Sequence, residues 1–251
     1  MANFVARPQA RPTIDFVRLA DTISLAVRFL DNVIDHNRFP LPHIDRMTKQ
    51  TRKIGLGIMG FADLLIALNI PYNSEAALHT AATLMDFFQS RAHLASAGLA
   101  ADRGVFPTYR GSRLQTLHQR HRNATVTTST NWQHQPLANC SPGIEPLYGV
   151  QEVRRVMDGV VLTSLHPAFV RRVRALGLDL DSLRPDLAAH PSIQHLTHVP
   201  EELRRLFATA TKAEVAATFL LAYQLGCKGL TVYRTGSRDR QVVSCHPSHP
   251  C

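Results

Sequence analysis

RFLDNVIDHNRFPLPHIDRMTKQTRKIGLGIMGFADLLIALNIPYNSEAA, Arg28 to Ala77, opens inside a helix that begins upstream. Apolar residues at Phe16, Leu19, Ile23, Val27, Leu30 and Ile34 recur with helical spacing, so one face is expected to be buried, and Thr13 can cap it. Asn37 to Pro42 breaks that rhythm, and a short helix is expected from His43 to Arg52. GLGIMG, Gly55 to Gly60, then leads into Phe61, Leu64, Leu65 and Leu68, a second amphipathic run stopped by Pro71. Ser74 starts a long helix with apolar residues at Leu78, Ala81, Met85, Phe88, Ala92, Ala95 and Leu99, closed near Gly104. Gly55, Gly57 and Gly60 fit the spacing of a dinucleotide phosphate loop. That loop needs a strand before it, and TKQTRK reads as a polar helix end. The glycines are therefore expected to let two helices join closely.

Further along, Ala124 to Thr128 reads as a buried strand, and Val153 to His198 is mixed. Glu201 to Phe207 and Glu214 to Leu225 read as helices, the second stopped by Gly226, and Leu230 to Tyr233 as a short strand. Helices alternate with few strands, so the class is α/β with a helix-rich first half. The 251 residues, 45% hydrophobic, suit one large domain or two small ones. No run of about 18 apolar residues spans a membrane. MANFVARPQARP lacks an apolar signal core, so the cytoplasm is the expected location. The net charge of +9 suits an anionic partner, or it reflects an Arg-rich composition. The arginines are spread out, not gathered in one strip, which speaks against a specific nucleic-acid surface. Four cysteines, Cys140, Cys227, Cys245 and Cys251, are too scattered for a disulfide framework. Cys227, at a helix end, reads as a small core residue. The tail SCHPSHPC, Ser244 to Cys251, leaves three readings open: a zinc site, a redox-exchanging cysteine pair, or an unstructured end. No Ser-His-Asp order, zinc-protease helix or P-loop is present.

Resemblance carries the reading further. Arg28 to Ala77, then RNATVTT with CSPGIEPLYGV, then LAYQLGCKGLTVYRTGSRDRQV from Leu221 to Val242, resemble the catalytic subunit of ribonucleotide reductases in the same order. The similarity is greatest to the adenosylcobalamin-dependent branch. The resemblance implies a fragment of the family's ten-stranded α/β barrel over residues 1–243, followed by a flexible Cys/His tail over 244–251. It implies reduction of the ribose 2′-hydroxyl of ribonucleotides by a thiyl radical, which cobalamin generates. It also implies departures. The family's radical cysteine, with its neighbouring Asn and Glu, lies upstream of the block where NFVARPQARPTIDF begins. None of the four cysteines matches a radical or active-site redox position, so no catalytic residue and no metal ligand is assigned in this chain. The family's segment between RLFATA and AEVAATF, which includes a barrel strand, is shortened here, with the two blocks abutting near Thr211. The implied partners are a ribonucleotide, an upstream fragment that supplies the radical cysteine, and a thioredoxin-like reductant. Cys245 and Cys251 are the candidate redox tail. A barrel lacking several strands leaves unpaired edges, so the isolated chain is expected to be poorly stable.

The sharpest departure falls between RNATVTT and CSPGIEPL. There the family carries a phosphate-cradling loop reading like I-A-P-T-G-T-I-S; here stands STNWQHQP, with Ser129, Thr130, Asn131, Trp132, Gln133, His134 and Gln135. Codons AGC, ACC and AAC for the first three, the obligatory TGG, and CA-initial codons for Gln and His spell the family loop when read one base later. They give Ala-Pro-Thr-Gly, then Asn or Ser, Thr or Ile, and Asn or Ser. A local shift of frame, closed again near Pro136 and Leu137, therefore accounts for the insert better than a divergent loop. Bulky side chains replace glycine where backbone N–H groups must approach phosphate. Ser141, Gly143 and Glu145 belong to the retained half of the site. Gly143 is expected to supply a turn. Glu145 either faces the substrate or makes a structural hydrogen bond to backbone N–H groups. Two functions stay open: part of a cobalamin-dependent reductase, inactive alone, or a non-catalytic relic serving as a basic anion-binding module.

Overall fold

The computed structural model describes residues 1–6, 11–127, 140–141, 143–147, 149–155, 161–189, 192–209, 211–224, 226 and 243–244. The chain divides into two compact units. One comprises Met1, Asn3–Met59 and Leu78–Ala138; the other comprises Ala2, Gly60–Ala77 and Asn139–Cys251.

In the first unit, β1 (Val5–Ala6) pairs antiparallel with β2 (Thr13–Ile14), which leads into α1 (Phe16–His36). Thr13, the expected cap, is taken by β2. The cap is Asp15, whose carboxylate accepts the Arg18 N–H at 3.0 Å. Leu19, Ile23, Val27 and Ile34 form the buried stripe read from the sequence, and Asp31 is buried among them. Leu25, Phe29 and Val33 make a second apolar stripe on the same helix that stays exposed. Next comes α2 (Pro42–Thr51), with Pro42 at its start, where the missing N–H costs nothing. It ends at Arg52, a residue in the left-handed region at φ 47°.

Directly before the glycine stretch lies β3 (Ile54–Gly55), where the sequence reading had only a helix end. It pairs in parallel with β4 (Val126–Thr127), the described part of the strand expected from Ala124 to Thr128. Local sequence hides β3 because it is two residues long and owes its conformation to a partner some seventy residues away.

The long helix α4 (Glu75–Arg103) begins where Ser74 was expected to cap it, with the hydroxyl accepting the Ala77 N–H at 3.2 Å. Leu84, Phe88, Ala92, Ser96 and Leu99 are buried along α4, whereas Leu78, expected on the inner face, is 64% exposed. The Phe16 ring meets that of Phe87 at a tilt, 4.7 Å between centroids, Arg28 pairs with Asp102 at 3.5 Å, and Asp31 pairs with Arg103 at 3.1 Å. These contacts advance together along both helices, so α1 and α4 run parallel. Gly104, at φ 82°, closes α4 as read from the sequence. The unit continues with α5 (Arg113–Thr116).

A buried polar hub joins these elements. Both oxygens of Asp31, a side chain with no exposure, are occupied. Oδ1 accepts from Arg52 Nε at 2.9 Å and Asn123 Nδ2 at 3.1 Å; Oδ2 accepts from Arg103 Nη1 at 3.1 Å and Arg122 Nε at 3.4 Å. Arg52 also forks onto Asp35 at 2.7 and 2.8 Å. That guanidinium holds the Asp35 carboxyl below its ordinary range against the opposing effect of burial.

The second unit starts with α3 (Phe61–Ala67). The region read as mixed resolves into a hairpin and two helices. In the hairpin, β5 (Gln151–Arg155) pairs antiparallel with β6 (Val161–Leu165), from Gln151↔Leu165 to Arg155↔Val161. On its other edge β5 pairs with β7 (Val243–Ser244), so Ser244, counted with the tail in the sequence reading, closes a strand. Then come α6 (Pro167–Ala175), α7 (Leu180–Ala189), α8 (Glu201–Leu206) and α9 (Lys212–Gln224). Ala62, Ile66, Leu147, Val150, Phe169, Val173, Leu187, Ile193, Leu203 and Phe207 share one core. Phe219, Leu220 and Leu221 on α9 remain exposed. The strand expected from Leu230 to Tyr233 and Cys227 lie outside the described residues. Among the described residues no helix is long and apolar enough to cross a membrane.

Candidate functional site

Gly60, at φ 74°, occupies the left-handed region that an L side chain resists, and so ends the glycine stretch and turns the chain into α3. The first turn of α3 therefore presents its N–H groups to whatever lies beside them. They meet the retained loop. Gly60 N–H donates to Ser141 O at 2.8 Å, Phe61 N–H to Gly143 O at 3.3 Å, and Asp63 N–H to Ser141 Oγ at 3.3 Å. Three N–H donors at this helix end, those of Gly60, Phe61 and Asp63, are thus used by the chain itself, although the strand whose absence argued against a phosphate loop is present as β3.

Asp63 returns the contact. Its Oδ2 accepts the Ser141 N–H at 2.5 Å, so the two residues exchange backbone and side-chain bonds as a capping box does. Oδ1 lies 2.7 Å from His166 Nε2. His166 stands between β6 and α6, its own N–H held by Val150 O at 2.8 Å. Burial alone would push the Asp63 carboxyl up, but the His166 ring and the Ser141 donors outweigh it and hold the group below its ordinary value of 3.8. A depressed carboxylate stabilises the fold above its ordinary value and loses that contribution as pH falls through the lower folded value. Denaturant melts of the second unit are expected to shift to lower midpoints on acidification through that window. Replacing Asp63 by Asn should flatten the shift.

Two further contacts fix the loop. Tyr72 Oη donates to Ile144 O at 2.7 Å, and its phenol is pushed up to about 12 by burial, with the Glu145 charge adding to the effect. Gly143 is buried at φ 44° and supplies the turn expected of it. Gly143→Ala is therefore expected to cost about 1–2 kcal/mol through left-handed strain, readable as a lower unfolding midpoint. Cys140 has a free, half-buried thiol that burial and the Asp63 charge push up, so it is expected to alkylate slowly at neutral pH.

Of the residues singled out from the sequence, Ser141, Gly143 and Glu145 thus lie together in one clamped loop beside α3. Ser129, Thr130, Asn131, Trp132, Gln133, His134 and Gln135 lie outside the described residues, as do Cys245 and Cys251. Among the described residues no three His, Cys, Asp or Glu side chains gather as a metal site. Sequence reading missed Asp63 and His166. Asp63 carried a signal, an acidic residue in the first turn after a glycine. His166 carried none, because its partner lies 103 residues away.

Comparison with known proteins accords with this geometry. The family profile described as ribonucleotide reductase, barrel domain, matches residues 1–138 and 125–224. A vitamin B12-dependent ribonucleoside-diphosphate reductase of Thermoplasma acidophilum is 37% identical over 92% of this chain and 34% of its own length. One from Mycobacterium tuberculosis is 36% identical over 98% of this chain and 40% of its own. The alpha subunit of the Actinobacillus ureae class Id ribonucleotide reductase shares the fold, with a TM-score of 0.68 at 21% identity, over 89% of this chain and 48% of that one. The chain belongs to the ribonucleotide reductase barrel-domain family, as a helix-rich fragment of that domain. It spans well under half the length of the B12-dependent relatives it matches.

Proposed function

We propose that this chain is a C-terminal portion of a vitamin B12-dependent ribonucleotide reductase, extending to about residue 243 with a Cys/His tail beyond, and that it reduces no ribonucleotide alone. Identity of 36–37% with such reductases over nearly the whole chain carries the reading. Activity would require an upstream fragment that supplies the radical cysteine and a thioredoxin-like reductant, with Cys245 and Cys251 as the candidate relay. The exposed stripe Leu25, Phe29 and Val33 on α1 suits cover by such a fragment. Adenosylcobalamin would generate the radical. No described residue is matched to it. The cytoplasm is the proposed location.

The phosphate loop is the second element. Two pieces of the family profile overlap over 125–138, the stretch where STNWQHQP replaces the family loop. The codon reading of Ser129 to Gln135, which spells the family loop one base later, is what supports a local shift of frame. Trp132 and its neighbours would then occupy the place where glycine lets backbone N–H groups reach phosphate. Two observations test this. The coding DNA for Ser129 to Gln135 should read Ala-Pro-Thr-Gly one base later; a TCN codon at Ser129 would exclude it. Replacing Ser129 to Gln135 by Ala-Pro-Thr-Gly-Thr-Ile-Ser should tighten binding of a ribonucleoside diphosphate about tenfold or more, or roughly 1.4 kcal/mol or more. Unchanged affinity in calorimetry would sink the loop reading.

A further inference from the structure

The resemblance assigns Asp63 no role, yet its carboxylate and its backbone N–H both bond Ser141 at the start of the Ser141–Glu145 loop. Its carboxylate is 13% exposed and its two oxygens are divided between two distant segments. Oδ2 holds the Ser141 N–H, Oδ1 meets His166, and the Asp63 N–H closes the exchange through Ser141 Oγ. Gly60 and Phe61, on the same helical turn, hold the carbonyls of Ser141 and Gly143. The loop is thereby tied to a rigid helix end at four points within three residues. His166 fixes the carboxylate that holds the loop. A helix turn that spends its N–H donors on a loop, rather than on a ligand, sets that loop's position to within the play of short hydrogen bonds.

We infer that Asp63 is a positioning residue for the substrate-side loop: with His166 behind it, it sets where Ser141, Gly143 and Glu145 stand against a ribonucleoside phosphate. The inference rests on the proposed reading of that loop as substrate-side. Loss of the carboxylate frees the Ser141 N–H and leaves His166 without its partner, while α3 itself keeps its own backbone bonds.

Hydrogen exchange followed peptide by peptide in the full chain, with and without a ribonucleoside diphosphate, tests it. Asp63→Ala should speed exchange across residues 143–147 at least tenfold, leave α1 unchanged and abolish any nucleotide-induced slowing there. Asp63→Asn, which keeps one acceptor for Ser141 N–H, should restore much of the protection. Ser141→Ala removes only the hydroxyl acceptor and should speed exchange a few-fold, so the clamp is tested even if Asp63→Ala fails to fold. Exchange in 143–147 unchanged in both Asp63→Ala and Ser141→Ala overturns the positioning role. A loop that loosens in Asp63→Ala, but shows no nucleotide-induced slowing in the wild-type chain carrying the restored phosphate loop, keeps the clamp and overturns its substrate-side assignment.

Discussion

Asp31→Ala is expected to cost the first unit about 3–5 kcal/mol, enough to abolish its cooperative unfolding transition at 37 °C. The size follows from what is left behind. Asp31 is fully buried, and Arg52, Arg103, Arg122 and Asn123 all donate to it. With it gone, three guanidiniums converge on a site whose remaining carboxylate, among the described residues, is Asp35, with a half-exposed side chain, beside neutral acceptors such as Asn32 Oδ1. Arg52 is buried and sits in a left-handed conformation at the end of α2, so it has no easy path to solvent. An uncompensated buried charge is the costly outcome, whereas an apolar replacement of the whole cluster would be far milder. Asp31→Asn keeps the shape and one acceptor and should fall between. The midpoint of urea unfolding, at unchanged slope, is the measurement. A loss under about 1 kcal/mol for Asp31→Ala would show that the hub is solvated in a way its burial excludes.

Phe169→Ala is the second large effect, expected at about 3–5 kcal/mol in the other unit. Phe169 has no exposed surface and meets Phe207 edge-on at 5.3 Å, and Phe207 in turn meets the His166 ring at 5.9 Å. The truncation opens a cavity between α6 and α8 and removes an aromatic pair. Because Phe207 also supports His166, the clamp on Ser141 should loosen in the same variant. Phe169→Leu, which refills much of the volume, should recover most of the midpoint. If the alanine and leucine variants melt alike, the cavity is not the cause.

Much of the helical fold was legible. The spacing of Leu19, Ile23, Val27 and Ile34 is a local signal, and α1 buries that face. The end of α4 at Gly104 was legible for the same reason. The errors share a physical cause. Leu78 fits the helical period yet is exposed, because period alone does not say which side another element covers. β3 is two residues long and exists only by pairing with β4, so it has no local pattern to read, whereas the β-branched run that holds β4 had one. Thr13 and Asp15 are both good caps; the pairing of Thr13 with Ala6 decided between them. At the candidate site, Ser141, Gly143 and Glu145 were found through resemblance. The Asp63–His166 pair was not, since it joins residues 103 apart.

The most direct test of the account is ribonucleotide reduction measured with CDP, adenosylcobalamin and a dithiol reductant. Three preparations are compared: the chain alone, the chain with the preceding part of a related B12-dependent reductase supplied in trans, and the same pair with Ser129 to Gln135 replaced by the family loop. The account predicts no dCDP from the first, little or none from the second, and turnover from the third. Formation of dCDP by the isolated chain, or none from the fully restored pair when the intact relative is active under the same conditions, would contradict it.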